Sequence, residues 1–227
     1  MRIIAFGDLH MAVQVCRKIP DISTADMLIA TGDLTNYGKK KDAKIVLEEL
    51  LEINPNLLAI IGNLDKFEIN DYLEQLNLNL HGQARLLQSQ VCVIGAGGSN
   101  ITPFGTPSEF SEQEITEILM SGYQQGLDYI ALSSPGKLSK IPIILISHAP
   151  PHNTAVDRLT NGRHVGSVAV RKFIETYQPD LCITGHIHEG RGEDMIGKTR
   201  ILNPGMLQYG GWVNIEFNKS TLHATLK

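Results

Sequence analysis

Seven side chains in this sequence share a setting that suits metal chemistry. Gly185-His186-Ile187-His188 follows the apolar run Leu181 to Thr184, and extended backbone puts alternate residues on one face, so His186 and His188 aim into one cavity beyond a strand. Imidazole is the commonest metal ligand. Near the other end, Gly7-Asp8-Leu9-His10 closes the run Ile3 to Phe6 with a carboxylate and an imidazole two residues apart. Gly32-Asp33 follows Met27 to Thr31, Gly62-Asn63 follows Leu57 to Ile61, and His148 follows the run Ile141 to Ile146. Any one of these is explained as a polar turn. Their repetition at one strand exit after another is not, because ligands in open α/β folds gather beyond the carboxyl ends of strands. Glycine has a reason there, since a residue without Cβ permits a sharp turn and close approach of the backbone to a metal or anion.

Asp8, His10, Asp33, Asn63, His148, His186 and His188 offer a mixed set of oxygens and nitrogens. One ion cannot use them all. Two divalent ions about 3.5–4 Å apart and sharing a bridging carboxylate can, which is the arrangement used to activate water against a phosphate ester. With no thiolate in the set, the expected metal is Mn²⁺, with Fe, Zn or Ni as alternatives.

The elements that must position these residues are read from hydrophobic period. Short β-branched runs alternate with longer segments of helical period, the pattern of a layered α/β protein. A helix is expected from Met11 to Ile19. A second, over Lys39 to Ile53, has Ala43, Val46, Leu47, Leu50 and Leu51 on one face and a solvated lysine start. Arg85 to Ile94 reads as a hairpin turning at Gln88 to Gln90. Ser111-Glu112-Gln113-Glu114 looks like a capping box opening a helix to Tyr123 or beyond. Ile141 to Ile146 is apolar throughout, as a strand buried on both faces must be. A helix over Val168 to Tyr177 precedes the Leu181 strand, and Thr199 to Leu202, Trp212 to Phe217 and Leu222 to Leu226 read as antiparallel strands. Asn203-Pro204-Gly205 reads as a tight turn between them, which needs only its local geometry.

Two loops carry groups without an element of their own. Gly95 to Ser108 is glycine-rich but lacks the spacing of a P-loop, so it reads as a rim over the site. Pro150 to Ser167, directly after His148, contains His152, Asp157, Arg158, Asn161, Arg163 and His164. Arg158 and His164 are the expected donors to a substrate phosphate without touching metal.

The chain has 227 residues, 42% hydrophobic and 19% charged, enough to bury a full core, and it reads as a single domain over 1–227. A net charge of -4 argues against nucleic acid or an anionic membrane as partner. Three cysteines, Cys16, Cys92 and Cys182, lie in apolar contexts without C-x-x-C spacing, which argues against a disulfide framework or a zinc ribbon and implies a reducing, cytoplasmic compartment. The start is too short for a signal-peptide core, and no run approaches transmembrane length.

Taken in order, the blocks D-x-H, G-D-x-x-[ND], G-N-x-[DE], a lone strand-end His and G-H-x-H, from Asp8 to His188, resemble the calcineurin-like metallophosphoesterases. Ser147-His148-Ala149-Pro150-Pro151 and Gly162-Arg163-His164-Val165-Gly166-Ser167 are similar to the predicted phosphoesterases of the Icc-related subgroup. The resemblance implies an α/β fold built as a four-layer α/β/β/α sandwich of two mixed sheets. It implies one metal on Asp8, His10 and His188, a second on Asn63, His148 and His186, and Asp33 bridging them. The implied activity is hydrolysis of a phosphodiester, or another small phosphorylated or nucleotide substrate, by a metal-activated hydroxide, with Asp33, Asn63 and His164 as catalytic residues and Asn63, Arg158 and His164 on the substrate. A nuclease acting on nucleic-acid ends and a non-catalytic scaffold are the alternatives. Many members carry His directly after the Asn of G-N-x-[DE] to protonate the leaving group; this chain has Leu64, which cannot transfer a proton. Without an acid there, the leaving oxygen is expected to depend on metals and electrostatics, with His164 or His152 reaching in from the loop as the competing proton source.

Overall fold

A computed structural model of the protein describes residues 1–133, 141–218 and 221–227. The first strand, β1 (Arg2–Phe6), shows why two sheets form. Its side chains alternate, Ile3 and Ala5 to one face and Ile4 and Phe6 to the other, and both faces are buried. A strand that is apolar on both sides needs a layer on each.

β1 pairs in parallel with β2 (Met27–Ala30), which pairs in parallel with β3 (Leu57–Ala59). On its other edge it pairs antiparallel with β12 (Val213–Asn218), itself followed by β13 (Thr221–Leu226). The second sheet runs β10 (Gly192–Ile196), β11 (Thr199–Asn203), β9 (Leu181–Thr184), β8 (Ile143–Ser147), β5 (Val91–Ala96) and β4 (Ala84–Leu87), with β5, β8 and β9 mutually parallel. A short pair, β6 (Ser99–Asn100) with β7 (Glu109–Phe110), closes the glycine-rich loop.

Ile3, Ala5, Ile29 and Leu58 of the first sheet pack against Val93, Ile144, Ile146 and Ile183 of the second. The outer face of the first sheet is covered by α1 (Lys40–Ile53) and α2 (Glu68–Gln75), through Val46, Leu47, Leu50, Ile69 and Leu73. The outer face of the second is covered by α3 (Glu112–Ser133) and α4 (Val168–Tyr177), through Ile115, Leu119, Val170 and Phe173. This is the expected α/β/β/α sandwich. Cys16, Cys92 and Cys182 are free and buried in these layers. Among the described residues, no helix is long and apolar enough to cross a membrane.

Several expected elements differ. The helix expected over Met11 to Ile19 is only a 3₁₀ stretch, Val13–Lys18, because Met11 is held in the left-handed region at φ 69° and Pro20 follows closely. Helix α2 is unexpected from sequence: it buries just Ile69 and Leu73, too few apolar residues to set a period. Strand β10 is also unannounced, since its Gly192-Glu193-Asp194 start carries no β propensity and its place is set by pairing with β11. Leu51, expected on the buried face of α1, is half-buried.

Candidate metal centre

β1, β2 and β3 in one sheet and β8 and β9 in the other all deliver their carboxyl ends to one edge of the sandwich. The chain must turn sharply there without blocking the space, and it does so at a conformational cost. Asp8 (φ 49°), His10 (φ 45°), Asp33 (φ 47°) and His186 (φ 66°) are all left-handed, a region that L residues rarely hold unless the surroundings dictate it. The preceding glycines explain how the site stays open. A Cβ on Gly32 would stand 2.5 Å from His148 Nδ1, one on Gly185 would stand 2.7 Å from Asp8 Oδ2, and one on Gly62 would overlap the Asp33 carboxylate.

The seven side chains converge. His188 Nε2 lies 3.3 Å from both Asp8 Oδ1 and His10 Nε2. On the other side, Asn63 Oδ1 lies 2.8 Å from His186 Nδ1 and 3.1 Å from His148 Nε2. Asp33 stands between the two groups, Oδ2 at 3.9 Å from His10 Nε2 and Oδ1 at 3.6 Å from His148 Nε2. Ligand atoms of Asp8, His10 and His188, and likewise of Asp8, Asp33 and His148, all lie within 4.8 Å of one another.

The donor set fits a cation. His148 Nδ1 donates to the Thr31 carbonyl at 2.9 Å, so its Nε2 presents a lone pair toward two oxygens, Asn63 Oδ1 and Asp33 Oδ1. A positive ion would satisfy these three acceptors together. His10 Nδ1 pairs with Asn36 Oδ1 at 2.8 Å, which leaves its Nε2 facing His188 Nε2 and the Asp33 carboxylate. Electrostatics agree. Burial, and then the charges of Asp65 and Asp8, push the Asp33 carboxyl well above its usual range, with a single hydrogen bond from Leu64 N opposing. Burial works against ionised Asp8 too, but the His188 hydrogen bond and the nearby His148, His188 and His10 outweigh it and hold that carboxyl low. Burial and the neighbouring His148 bring His186 down to about 3, so it is a neutral imidazole at any working pH, as a ligand must be.

Residues outside the seven hold the loops in place. Asp65, fully buried, accepts from Leu34 N at 3.0 Å, Thr35 N at 2.8 Å, Thr35 Oγ1 at 2.7 Å and Gly62 N at 2.9 Å, clamping the exits of β2 and β3 together. The acidic position of Gly62-Asn63-Leu64-Asp65 was its only signal in the sequence. Asn203 is more than a turn residue: its Nδ2 donates to the carbonyls of Ile187 at 2.8 Å and Val156 at 3.3 Å, fastening the His186–His188 loop to the neighbouring loop.

Arg158 and His164 lie in that neighbouring loop, not among the seven. Arg158 is exposed, its backbone bridged to that of His164. His164 Nδ1 pairs with Asp157 Oδ1 at 2.6 Å, and Asp157 is fully buried, accepting also from the backbone N–H groups of Thr154, Asn153 and Gly166. His152 Nδ1 lies 3.6 Å from the other Asp157 oxygen. Burial opposes the charge on Asp157, but the His164 bond and the three backbone bonds more than offset it and keep the carboxyl low. The result is an oriented imidazole, about one-third exposed, on a buried carboxylate. The Leu64 side chain contributes no polar group.

The family model of calcineurin-like phosphoesterases matches residues 1–190, which includes every strand exit described above. The chain belongs to the calcineurin-like phosphoesterase family and is a metal-dependent phosphoric ester hydrolase. It is 35% identical over 216 residues to the uncharacterized protein MJ1162 of Methanocaldococcus jannaschii, covering 92% of this chain and 90% of that one. Among solved structures, TT1561 of Thermus thermophilus is similar with a TM-score of 0.68 at 18% identity, over 99% of this chain and 97% of the other. A 5'-nucleotidase from Candida albicans is similar with a TM-score of 0.56 at 13% identity, this chain spanning 50% of it. Both likenesses show the fold.

Proposed function

We propose that the protein is a dinuclear phosphodiesterase acting on a small phosphorylated or nucleotide substrate, and the position of Asp33 between two histidine groups is the observation that carries this reading. Asp8, His10 and His188 would hold one ion, Asn63, His148 and His186 the second, and Asp33 both. Two divalent ions, Mn²⁺ first among them, would lower the pKa of water and neutralise charge on the phosphate oxygens. Asp33 and Asn63 fix where the phosphate sits. Arg158 supplies a guanidinium to its outer oxygens. His164, oriented through Nδ1 by Asp157, has its Nε2 left to bind the substrate or, as the imidazolium, to pass a proton to the leaving oxygen, the role for which Leu64 has no group.

The net charge of -4 supports a small substrate over a nucleic acid, and the three free, buried thiols support a reducing, cytoplasmic setting. The test is elemental analysis with a substrate screen on Mn²⁺-reconstituted protein. The reading expects two ions per chain and bis(p-nitrophenyl) phosphate hydrolysed faster than p-nitrophenyl phosphate. One ion per chain removes the dinuclear reading, and a preference for the monoester removes the phosphodiesterase.

A further inference from the structure

An asparagine ligand has a problem that an aspartate lacks: only one end of its carboxamide can face a cation. At Asn63 the nearest histidine of fixed tautomer favours the wrong end. His148 Nε2, whose partner nitrogen donates to Thr31, carries a lone pair 3.1 Å from the amide, and His186 Nδ1 is 2.8 Å away. Turned over, the amide nitrogen would donate to His148 and, with His186 in the matching tautomer, to that ring as well.

What opposes this turn lies in the glycine-rich loop. Asn63 Nδ2 donates to Thr106 Oγ1 at 3.0 Å, and Thr106 Oγ1 in turn donates to Glu109 Oε1 at 2.6 Å. A hydroxyl has one proton, and this one is committed to a carboxylate, so Thr106 can only accept from Asn63. Glu109 is itself fixed, accepting from Thr106 N at 2.8 Å and from Thr102 Oγ1 at 2.5 Å. Burial opposes its charge, but the threonine hydroxyls and the two backbone N–H groups together outweigh it and bring it to about 2, so the relay keeps its direction across the working pH range.

We propose that Glu109, acting through Thr106, is a positioning residue that holds the Asn63 carboxamide with its oxygen toward the cation set, against the flip that His148 favours. The inference rests on the reading of Asn63 as a ligand, and it gives the rim loop a function beyond covering the site. The outer partners of metal ligands commonly contribute 10–100-fold in metal affinity.

Thr106→Val keeps the shape and removes the acceptor, whereas Thr106→Ser keeps it. In metal-free wild-type protein, nuclear Overhauser contacts should join the Asn63 side-chain NH₂ to Thr106, and Thr106→Val should turn that group toward His148. In Mn²⁺ titrations, Thr106→Val should weaken one ion about 10–100-fold, Thr106→Ser should stay within about threefold of wild type, and the valine effect should vanish on an Asn63→Asp background, which has no amide to orient. Equal Mn²⁺ affinities in the valine and wild-type proteins would overturn the proposal. So would a serine variant as weak as valine, or a valine effect that persists with Asn63→Asp. A wild-type amide aimed at Thr106 in a protein that binds no Mn²⁺ would sink the metal reading while upholding the relay; an amide already turned to His148 in wild type would sink the relay itself.

Discussion

Two buried carboxylates, one on the floor of the candidate metal centre and one in the adjoining loop, meet opposite fates. Asp157 sits among backbone N–H groups and the His164 ring, and its charge is satisfied by the protein. Asp33 is as deeply buried, yet among the described residues it accepts one backbone bond, from Leu64, and faces Asp8 and Asp65. The difference teaches what each is for. A carboxylate supplied with donors is a structural anchor, here one that aims an imidazole; a carboxylate denied them, with ring nitrogens of His10 and His148 on either side, is one that a cation would complete.

The largest expected effect follows from removing the unsatisfied one. Asp33→Asn should weaken both ions and lower phosphodiesterase kcat/KM by more than the roughly 10–100-fold typical of an outer partner, read by elemental analysis and steady-state kinetics. Retention of two ions with full activity would abolish the distinction drawn here.

Next in size, His164→Ala should lower kcat by about 10²-fold or more for poor leaving groups, the low end of general acid catalysis. Aryl diesters should be affected least. If the slope of rate against leaving-group pKa is the same in both proteins, His164 is no proton donor and Asp157 anchors only the loop.

The third prediction concerns stability in metal-free protein, where the two kinds of carboxylate should respond with opposite sign. Asp65→Ala strands four donors and should cost at least about 3 kcal/mol by urea denaturation, since each buried unsatisfied donor costs about 1–3 kcal/mol. Asp33→Asn removes repulsion and should be neutral or stabilising. A similar loss in both would break the comparison.

The pH dependence sharpens it further. The folded pKa of Asp33 is raised, so its contribution is fully present below the unfolded value, about 3.9, and is lost as pH rises through the folded value. The folded pKa of Asp157 is lowered, so its contribution is present above about 3.9 and is lost only as pH falls through the folded value. Metal-free wild type should therefore lose stability relative to Asp33→Asn as pH climbs above about 4, while Asp157→Asn should lose its deficit only in acid. Thermal melts across pH 3 to 8 decide this. The smallest effect is expected at Arg158, where alanine should raise KM by roughly the factor of one exposed charge-assisted contact, about 2–10-fold, with metal content as in wild type.

The layered α/β class was legible in the sequence, because strands such as Ile3 to Phe6 and Ile143 to Ile146 are apolar on both faces and need cover on each. The sequence also determined the seven candidate ligands, since period-two geometry and a glycine before most of the polar exits are local properties of the chain. The hairpin at Gln88 and Ser89 was legible for the same reason. Left to the tertiary structure were the features whose partners lie far apart in sequence. Helix α2 and strand β10 exist by packing and pairing rather than propensity. Asp65 gathers donors about 30 residues away, Asn203 ties together loops 16 and 47 residues distant, and the Asn63–Thr106 bond spans 43. Whether a buried carboxylate anchors a loop or awaits a cation depends on how many such donors the fold brings to it, and residue spacing does not contain that count.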